Sequence, residues 1–423
     1  MNLSKFSDFE LSSSTLSQLN ELGFDKATAI QTSTLAASLA GQDVVATAKT
    51  GSGKTLAFAL PLIENLSTSI KPKGKGNLVR ALVLAPTREL AEQISQNFTL
   101  YSKGASQPLK VVTVIGGMSI NPQMLKLRGG ADVVVATPGR LLDLVEKNAV
   151  NLTQVRQLVL DEADRIFSLG FKEELNAIFK LLPSKRQTLM FSATFPLELQ
   201  QTAKKHLYKP LTLVQESETV EAIEQRVITV NKENKTALLE HLCKQHDWSQ
   251  VLIFVNAKNT CKNLANKLEK RGIKAEVFHG DKAQVSRSNI IRRFKDKQLQ
   301  VLIATDLAAR GLDVEGLPVV INYELPRSPA DYMHRIGRSG RAGKQGVAIS
   351  LISHEEFHHF KIIEKKNKLR LTREQVVGFE ADDNPELVEA GKPKVNIPAP
   401  GQGKKYKNKA AKANSHIWNK TPK

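Results

Sequence analysis

Cysteine is nearly absent. Cys243 and Cys261 are the only two in 423 residues, which excludes a disulfide framework and any cysteine-rich zinc site. Aromatic residues make up 5%, too few for base stacking to dominate an affinity for nucleic acid. No apolar run reaches the roughly 18 to 20 residues that a bilayer span needs. The opening MNLSKFSDFE places acids where a secretion leader wants basic and then apolar residues. A cytoplasmic protein with no membrane partner is the expectation.

What the chain does have is apolar residues for real cores, at 41%, and positive charge, at a net +19. That excess implies a polyanionic partner, nucleic acid or an anionic membrane surface, and with so few aromatics backbone phosphate contacts are the expectation. The length is too great for one ordinary α/β domain and suits two. Short Val- and Ile-rich runs alternate with helical patterns in both halves, the signature of parallel sheets covered by helices. In the first half these are DVVATA, ALVLAP, VVTVIG, DVVVAT, QLVLDEAD and QTLMFSAT; in the second VLIFVN, AEVFHG, VLIATD, VVINYE and GVAISLI. Each first-half run ends in small, polar or charged residues, where open α/β sheets place their chemistry. The expected fold is therefore α/β with two tandem domains, residues 1–208 and 226–371. Residues 209–225 read as a charged linker without strand or helix periodicity. Residues 372–423 form a basic tail: from 392 to 423 there are nine lysines and no Asp or Glu. Such a composition builds no core and reads as disordered.

The run VVATAKTGSGKT, followed by helical LAFALPLIENL, is a P-loop. Backbone N–H groups of Gly51, Ser52 and Gly53 would cradle phosphates at a helix start, Lys54 would reach the β- and γ-phosphates, and Thr55 would hold Mg²⁺. Ala48 stands where the general pattern wants glycine. VLDEAD closes another apolar strand, with Asp161 placed to ligate Mg²⁺ and Glu162 to orient and deprotonate the attacking water. Taken by itself this segment is equally an acidic helix start. A P-loop ATPase needs such an aspartate, and no better candidate exists in the chain.

The ordered set GFDKATAIQ with upstream Phe6, AKTGSGKT, PTRELA, Gly116-Gly117, TPGR, DEAD, SAT, LIFVN, QVSR, ATDLAARGLD and HRIGRSGR resembles the DEAD-box RNA helicases from Phe6 to about Leu371. The short N-terminus and lysine-rich end are most similar to bacterial RhlE-like members. The resemblance implies two RecA-like domains with ATP and Mg²⁺ between them. It implies an enzyme cutting the β–γ phosphoanhydride bond and gripping RNA without reading its sequence. Ala48, Thr50, Gly51, Ser52, Gly53, Lys54 and Thr55 would then line the phosphates. Gln31 would select adenine and Phe6 stack on it, the alternative for Phe6 being a packing residue beside Phe9 and Leu11. Ala27 and Ala29 stand where the family has proline, which puts the stiffness of that loop in question.

Arg335, Arg338 and Arg341, three apart, would share one face of a helix. The resemblance makes Arg338 and Arg341 arginine fingers, and His334 and Asp306 links to the other domain and the ribose. Ser192 and Thr194 would couple hydrolysis to closure. RNA contacts carry over onto Pro86, Thr87, Arg88, Gly117, Thr137, Gly139 and Arg140, then onto Gln284, Arg287, Thr305 and Gly311. Small residues and single arginines suit phosphate and 2′-OH contacts. The second half lacks Gly-Lys-Thr, so one ATP is expected. An RNA-stimulated unwinding enzyme is the leading reading. An ATP-gated RNA clamp shares all its motifs, and a DNA helicase of the wider superfamily is the third. The resemblance leaves ribosomal or RNA-decay proteins open as further partners.

Overall fold

The apolar runs are realised as two seven-stranded sheets, one in each half of the chain. The structure is a computed structural model that describes residues 4–48, 51–70, 76–214, 223–309, 314, 316–340 and 346–381. The basic tail from 382 onward, Thr50, Gly311 and Arg341 lie outside the described residues.

The first sheet holds β1 (Val44–Thr47), β2 (Val79–Leu84), β3 (Val111–Val114), β4 (Ala131–Ala136), β5 (Gln157–Leu160), β6 (Gln187–Ser192) and β7 (Leu211–Val214). Their spatial order is β3-β4-β2-β5-β6-β1-β7. The second holds β8 (Ile223–Thr229), β9 (Val251–Val255), β10 (Ala275–Phe278), β11 (Val301–Thr305), β12 (Val319–Asn322), β13 (Gly346–Ile352) and β14 (Arg373–Glu374), in the order β10-β11-β9-β12-β13-β8-β14. The ladders between these strands run parallel throughout. Side chains alternate between two cores, one on each face: Leu82 and Leu84 of β2 enter one, Ala81 and Val83 the other. This is why the strands read as unbroken apolar runs instead of alternating ones.

Two places depart from the sequence reading. Residues 209–225, which carry no obvious strand pattern, contain β7 and the start of β8. β7 pairs only on its β1 side and is alternately half-buried and exposed, so four residues of edge strand leave a weak signal. Beyond Leu371, Arg373–Glu374 adds to β8, fastened by a salt bridge from Arg226 to Glu374 at 2.7 Å.

Strand order decides which loops meet. β5, β6 and β1 are adjacent, with Leu160 opposite Met190 and Thr47 opposite Ser192. The loops bearing Asp161, Ser192 and Ala48 therefore emerge side by side. β3, β4 and β2 form the other flank and bring Gly117, Thr137 and Arg88 together. That flank is clamped from below. Arg80 on β2 donates to Asp132 on β4 at 2.7 Å and to the carbonyls of Leu66 and Ser69 at 2.8 and 2.9 Å. The ionic side chains are 8% and 6% exposed.

Removing one partner of a buried ion pair strands the other. Asp132→Ala is expected to destabilise the first domain by about 3 to 5 kcal/mol, read as a lower midpoint in urea unfolding. A midpoint unchanged from wild type would show that the pair contributes nothing net.

Candidate nucleotide and nucleic-acid site

The P-loop helix begins at Lys54, directly after a turn whose geometry requires glycine. Gly53 sits at φ +91°, and a Cβ there would lie 2.4 Å from Gln31 Nε2. Gln31 itself is buried and doubly engaged: Nε2 donates to Gly53 O at 3.0 Å, and Oε1 accepts from Thr28 N–H at 2.8 Å. The Thr28 hydroxyl donates to Ser52 O at 2.7 Å. The helix Ala29–Leu39 thus starts from a Thr28–Gln31 box, which supplies the order that a first-turn proline would otherwise give at Ala29. Ala27 is fully buried.

Phe6 is 3% exposed and packs with Leu19, Ala27, Leu35, Leu56 and Leu60, with Phe9 and Leu11 alongside. Its edge nevertheless helps line a cavity of about 450 Å³ with Leu16, Asn20, Asp25 and Lys26.

Lys54 is buried and its Nζ donates to Ala48 O at 2.9 Å. Ala48 N–H in turn donates to Ser192 O at 2.9 Å. Facing Lys54 is Asp161, 3% exposed. Burial pushes the Asp161 carboxyl up to about 6, and the positive charge of Lys54 only partly offsets it. A carboxylate short of positive charge, with the Thr55 hydroxyl on the adjacent helix turn, fits a hard cation. Mg²⁺ binds through one or two carboxylates together with phosphate and water oxygens. Among the described residues no group of three or more His, Cys, Asp or Glu could hold a metal.

Glu162 has φ 48° and ψ 49°, the left-handed region, and caps the helix Ala163–Ser168. A non-glycine residue held there costs on the order of 1 kcal/mol. Such strain is commonest where a side chain must be aimed.

Asp164 closes the tetrad and ties three elements. Its Oδ2 accepts from Thr194 N–H at 3.0 Å and from the Thr194 hydroxyl at 2.7 Å, and its N–H donates to Ser192 Oγ at 3.1 Å. Burial would raise its pKa, but the bonds from Thr194 and Ser192, with His334 and Arg165 nearby, hold it below the usual value. His334 comes from the second domain. Burial pushes its imidazole down to about 4 and Arg165 adds to the effect, so it is neutral at pH 7. Beside it Arg165 bonds Asp331 of the second domain at 3.0 Å, with side chains 11% and 14% exposed.

Arg335 and Arg338 do not share a helical face, and Arg341 lies outside the described residues. The helix Pro329–Ile336 stops at Gly337, where the chain tightens into a turn closed by Arg338 N–H donating to Arg335 O at 3.2 Å. Arg338 therefore lies beyond it, its carbonyl accepting from Leu317 N–H at 3.1 Å. Arg335 points inward, 1% exposed. It makes a two-point pair with Asp306 at 2.6 Å each, bonds Asn322, Asn256 and Glu324 O, and stacks on Phe254 at 5.0 Å. Arg338, His334, Asp306 and Arg165 line one small cleft.

On the other flank Gly117, at φ +74°, has the Arg88 guanidinium where a Cβ would be, 1.9 Å away. Gly116 N–H donates to Thr137 Oγ1 at 3.4 Å and Arg140 donates to Met118 O at 2.9 Å. Thr87 caps the helix Arg88–Tyr101 just after Pro86, and Gly139 lies in the first turn of the helix Pro138–Glu146, open on its Cβ side. These residues are brought together. Thr305 ends β11 and is buried. Gln284 and Arg287 are engaged with the first domain. Arg287 pairs with Glu89 at 2.8 Å, both 7% exposed, and Gln284 bonds Glu92 at 3.2 Å. The sequence reading missed Asp164, Arg165, Glu89, Glu92 and Asp331. Asp164 and Glu89 left a signal, as the last letter of the tetrad and the acid of PTRELA.

These features define a nucleotide-hydrolysing protein of two RecA-like domains with one P-loop. The DEAD/DEAH box helicase pattern matches residues 28–202, and the helicase conserved C-terminal domain residues 234–343. The ATP-dependent RNA helicase CshA of Listeria monocytogenes is 38% identical over 87% of this chain and 70% of its own. The CshA of Geobacillus kaustophilus is also 38% identical, over 88% and 78%. The S. cerevisiae protein Dbp5 bound to RNA and ADP BeF3 superposes with a TM-score of 0.78 at 31% identity, over 88% of this chain and 95% of that one. The chain belongs to the DEAD-box ATP-dependent RNA helicases.

Because burial holds Asp161 above the ordinary 3.8, the protein without nucleotide is expected to lose stability as pH rises through about 6. Asp161→Asn should restore up to roughly 3 kcal/mol at pH 7 and almost nothing near pH 4. Thermal melts at both pH values check this; a variant no more stable at pH 7 contradicts the burial argument.

Proposed function

We propose that RNA and ATP together close the cleft between the two domains, that hydrolysis reopens it, and that the cycle separates short RNA duplexes or remodels RNA–protein complexes. One observation carries this reading. The tetrad that holds the catalytic acids also holds Asp164, which Ser192 and Thr194 bind from behind and His334 and Arg165–Asp331 address from the second domain. A shift of the acids with the bound nucleotide therefore moves a group that the second domain touches.

In the reaction a water oxygen attacks the γ-phosphorus, and the bond to the β–γ bridging oxygen breaks. Lys54 binds the β- and γ-phosphates through its ammonium, and the backbone of Gly51, Ser52 and Gly53 cradles them. Glu162 takes the water proton. Asp161 and Thr55 would hold Mg²⁺, which when bound would supply positive charge to the phosphate oxygens. Arg338, with Arg341, stabilises charge on the transferring phosphoryl group from across the cleft. Gln31 ties adenine recognition to the P-loop because its amide already bonds Gly53 O. Arg88, Gly117, Thr137 and Arg140 grip the RNA backbone. Gln284 and Arg287 enter this reading as interdomain contacts as much as RNA contacts.

Likeness to RhlE-like members is supported by the lysine-rich end alone, beside relatives of CshA type. Ribosomal or RNA-decay complexes as partners rest on the resemblance. A cytoplasmic setting is supported by two unbridged buried cysteines, their thiols pushed by burial up to about 11 and about 12. Among the described residues no helix is long and apolar enough to cross a membrane.

Glu162→Gln is expected to slow ATP turnover by at least about a hundredfold while ATP and RNA stay bound, since the amide cannot accept the water proton. RNA affinity in ATP should hold or rise; a fall would remove Glu162 from the role of base. Arg338→Ala should lower kcat at least about a hundredfold with ATP affinity little changed. Equal losses in binding and rate would make it a ground-state ligand. Turnover without strand separation in the wild type would favour the clamp reading.

A further inference from the structure

The helix Arg88–Tyr101 buries Leu90, Ala91, Ile94, Ser95 and Phe98 in its own domain. Glu89 and Glu92 are engaged by the other domain, where they meet the helix Gln284–Lys295. Two contacts cross the gap. Glu89 pairs with Arg287 at 2.8 Å. One turn on, Glu92 Oε2 accepts from Gln284 Nε2 and from Ser288 Oγ, each at 3.2 Å. Gln284 and Ser288 are four residues apart, hence neighbours on one helical face. Both converge on a single carboxylate oxygen.

Gln284 is 4% exposed, and its own carbonyl oxygen finds no hydrogen-bond partner among the described residues. A buried amide already short of one bond depends on keeping the other. An open groove of about 500 Å³ flanks the contact, with Glu89 and Glu92 on one wall and Arg292 and Lys295 on the other. Water can re-solvate these groups when the helices part.

We propose that Glu92 is a positioning residue for cleft closure: its carboxylate gathers Gln284 and Ser288, and so sets the helix Gln284–Lys295 in the register that lands Arg287 on Glu89. The proposal rests on the closure reading given above. The charge and the acceptor oxygen of Glu92 act in opposite senses. Burial raises its pKa, the bonds from Gln284 and Ser288 lower it, and Glu89 raises it again. Arg287 is shared between the two carboxylates. The negative charge thus disfavours closure, while the oxygen's two hydrogen bonds favour it. Glutamine at this position keeps an acceptor and drops the charge; alanine drops both.

The test uses the full chain with a dye on each domain. RNA is titrated at a saturating, non-hydrolysable ATP analogue, and the RNA concentration giving half-maximal closure is read by energy transfer. Affinity for a fluorescent nucleotide without RNA reports the integrity of the first domain. Glu92→Ala should raise the half-closure concentration about tenfold, Ser288→Ala about threefold, and the double variant no more than Glu92→Ala, because they remove one shared bond. Glu92→Gln should close at or below the wild-type concentration. In steady-state assays the RNA KM of Glu92→Ala should rise with kcat nearly kept. The proposal is overturned by wild-type closure in Glu92→Ala, by additive effects of the two substitutions, or by Glu92→Gln failing as alanine does. If Glu92→Ala loses nucleotide affinity, its fold is damaged and Ser288→Ala decides: unchanged half-closure overturns the idea. A wild type that does not close on RNA and the ATP analogue removes the closure reading and this proposal together.

Discussion

The carboxylate of Asp164 carries more of this molecule's organisation than any other group. It is buried, stays ionised because Thr194 and Ser192 surround it with donors, and stands three residues from Asp161 on one short helix start. In a low-dielectric setting a fully bonded carboxylate is rigid, and an unbonded one is intolerable. The loop after β6 must therefore follow the loop after β5. Ala48, bonded to Ser192 O, ties in the loop after β1. Three strand ends move as one body.

The second domain answers with a different kind of rigidity. Arg335 spends its guanidinium on Asp306, Asn322, Asn256 and Glu324 O, so the loops after β9, β11 and β12 are pinned around one buried cation. Desolvating that cation is costly, and the return is geometric precision in the neighbouring Arg338 turn and His334 more than stability. Each domain thus presents a stiff face to the other. Between those faces lie reversible contacts: Arg165–Asp331, Glu89–Arg287 and the bonds to Glu92.

The fold was largely legible because fully covered parallel strands announce themselves as unbroken Val- and Ile-rich runs, and eleven of the fourteen strands were so marked. β7, β8 and β14 were not: they are short or partly exposed and sit where the chain is charged. The P-loop and tetrad were legible because their chemistry demands particular residues at fixed spacing. The interdomain contacts were not, since a Glu at position 89 or 92 looks like any solvated helix face until a second helix is laid against it. Arg335 shows the same limit from the other side. Three arginines at a spacing of three suggested one helical face, yet the helix ends at Ile336, and the first of the three became the largest fully buried side chain among the described residues.

The order β3-β4-β2-β5-β6-β1-β7 places the loops proposed for the nucleotide on one flank of the first sheet and those proposed for RNA on the other. A close-packed parallel sheet has no second arrangement to switch into, so it is a poor conductor between its flanks. On the proposed reading, the two ligands communicate only by each making the same second domain easier to capture. That is the thermodynamics of a bivalent ligand: whichever binds first raises the effective concentration of the domain for the other. Linkage then makes the benefit symmetric, so RNA must tighten ATP by the same factor by which ATP tightens RNA. Hydrolysis, by deleting one of the two attachments, weakens the grip on RNA without any signal having crossed the sheet.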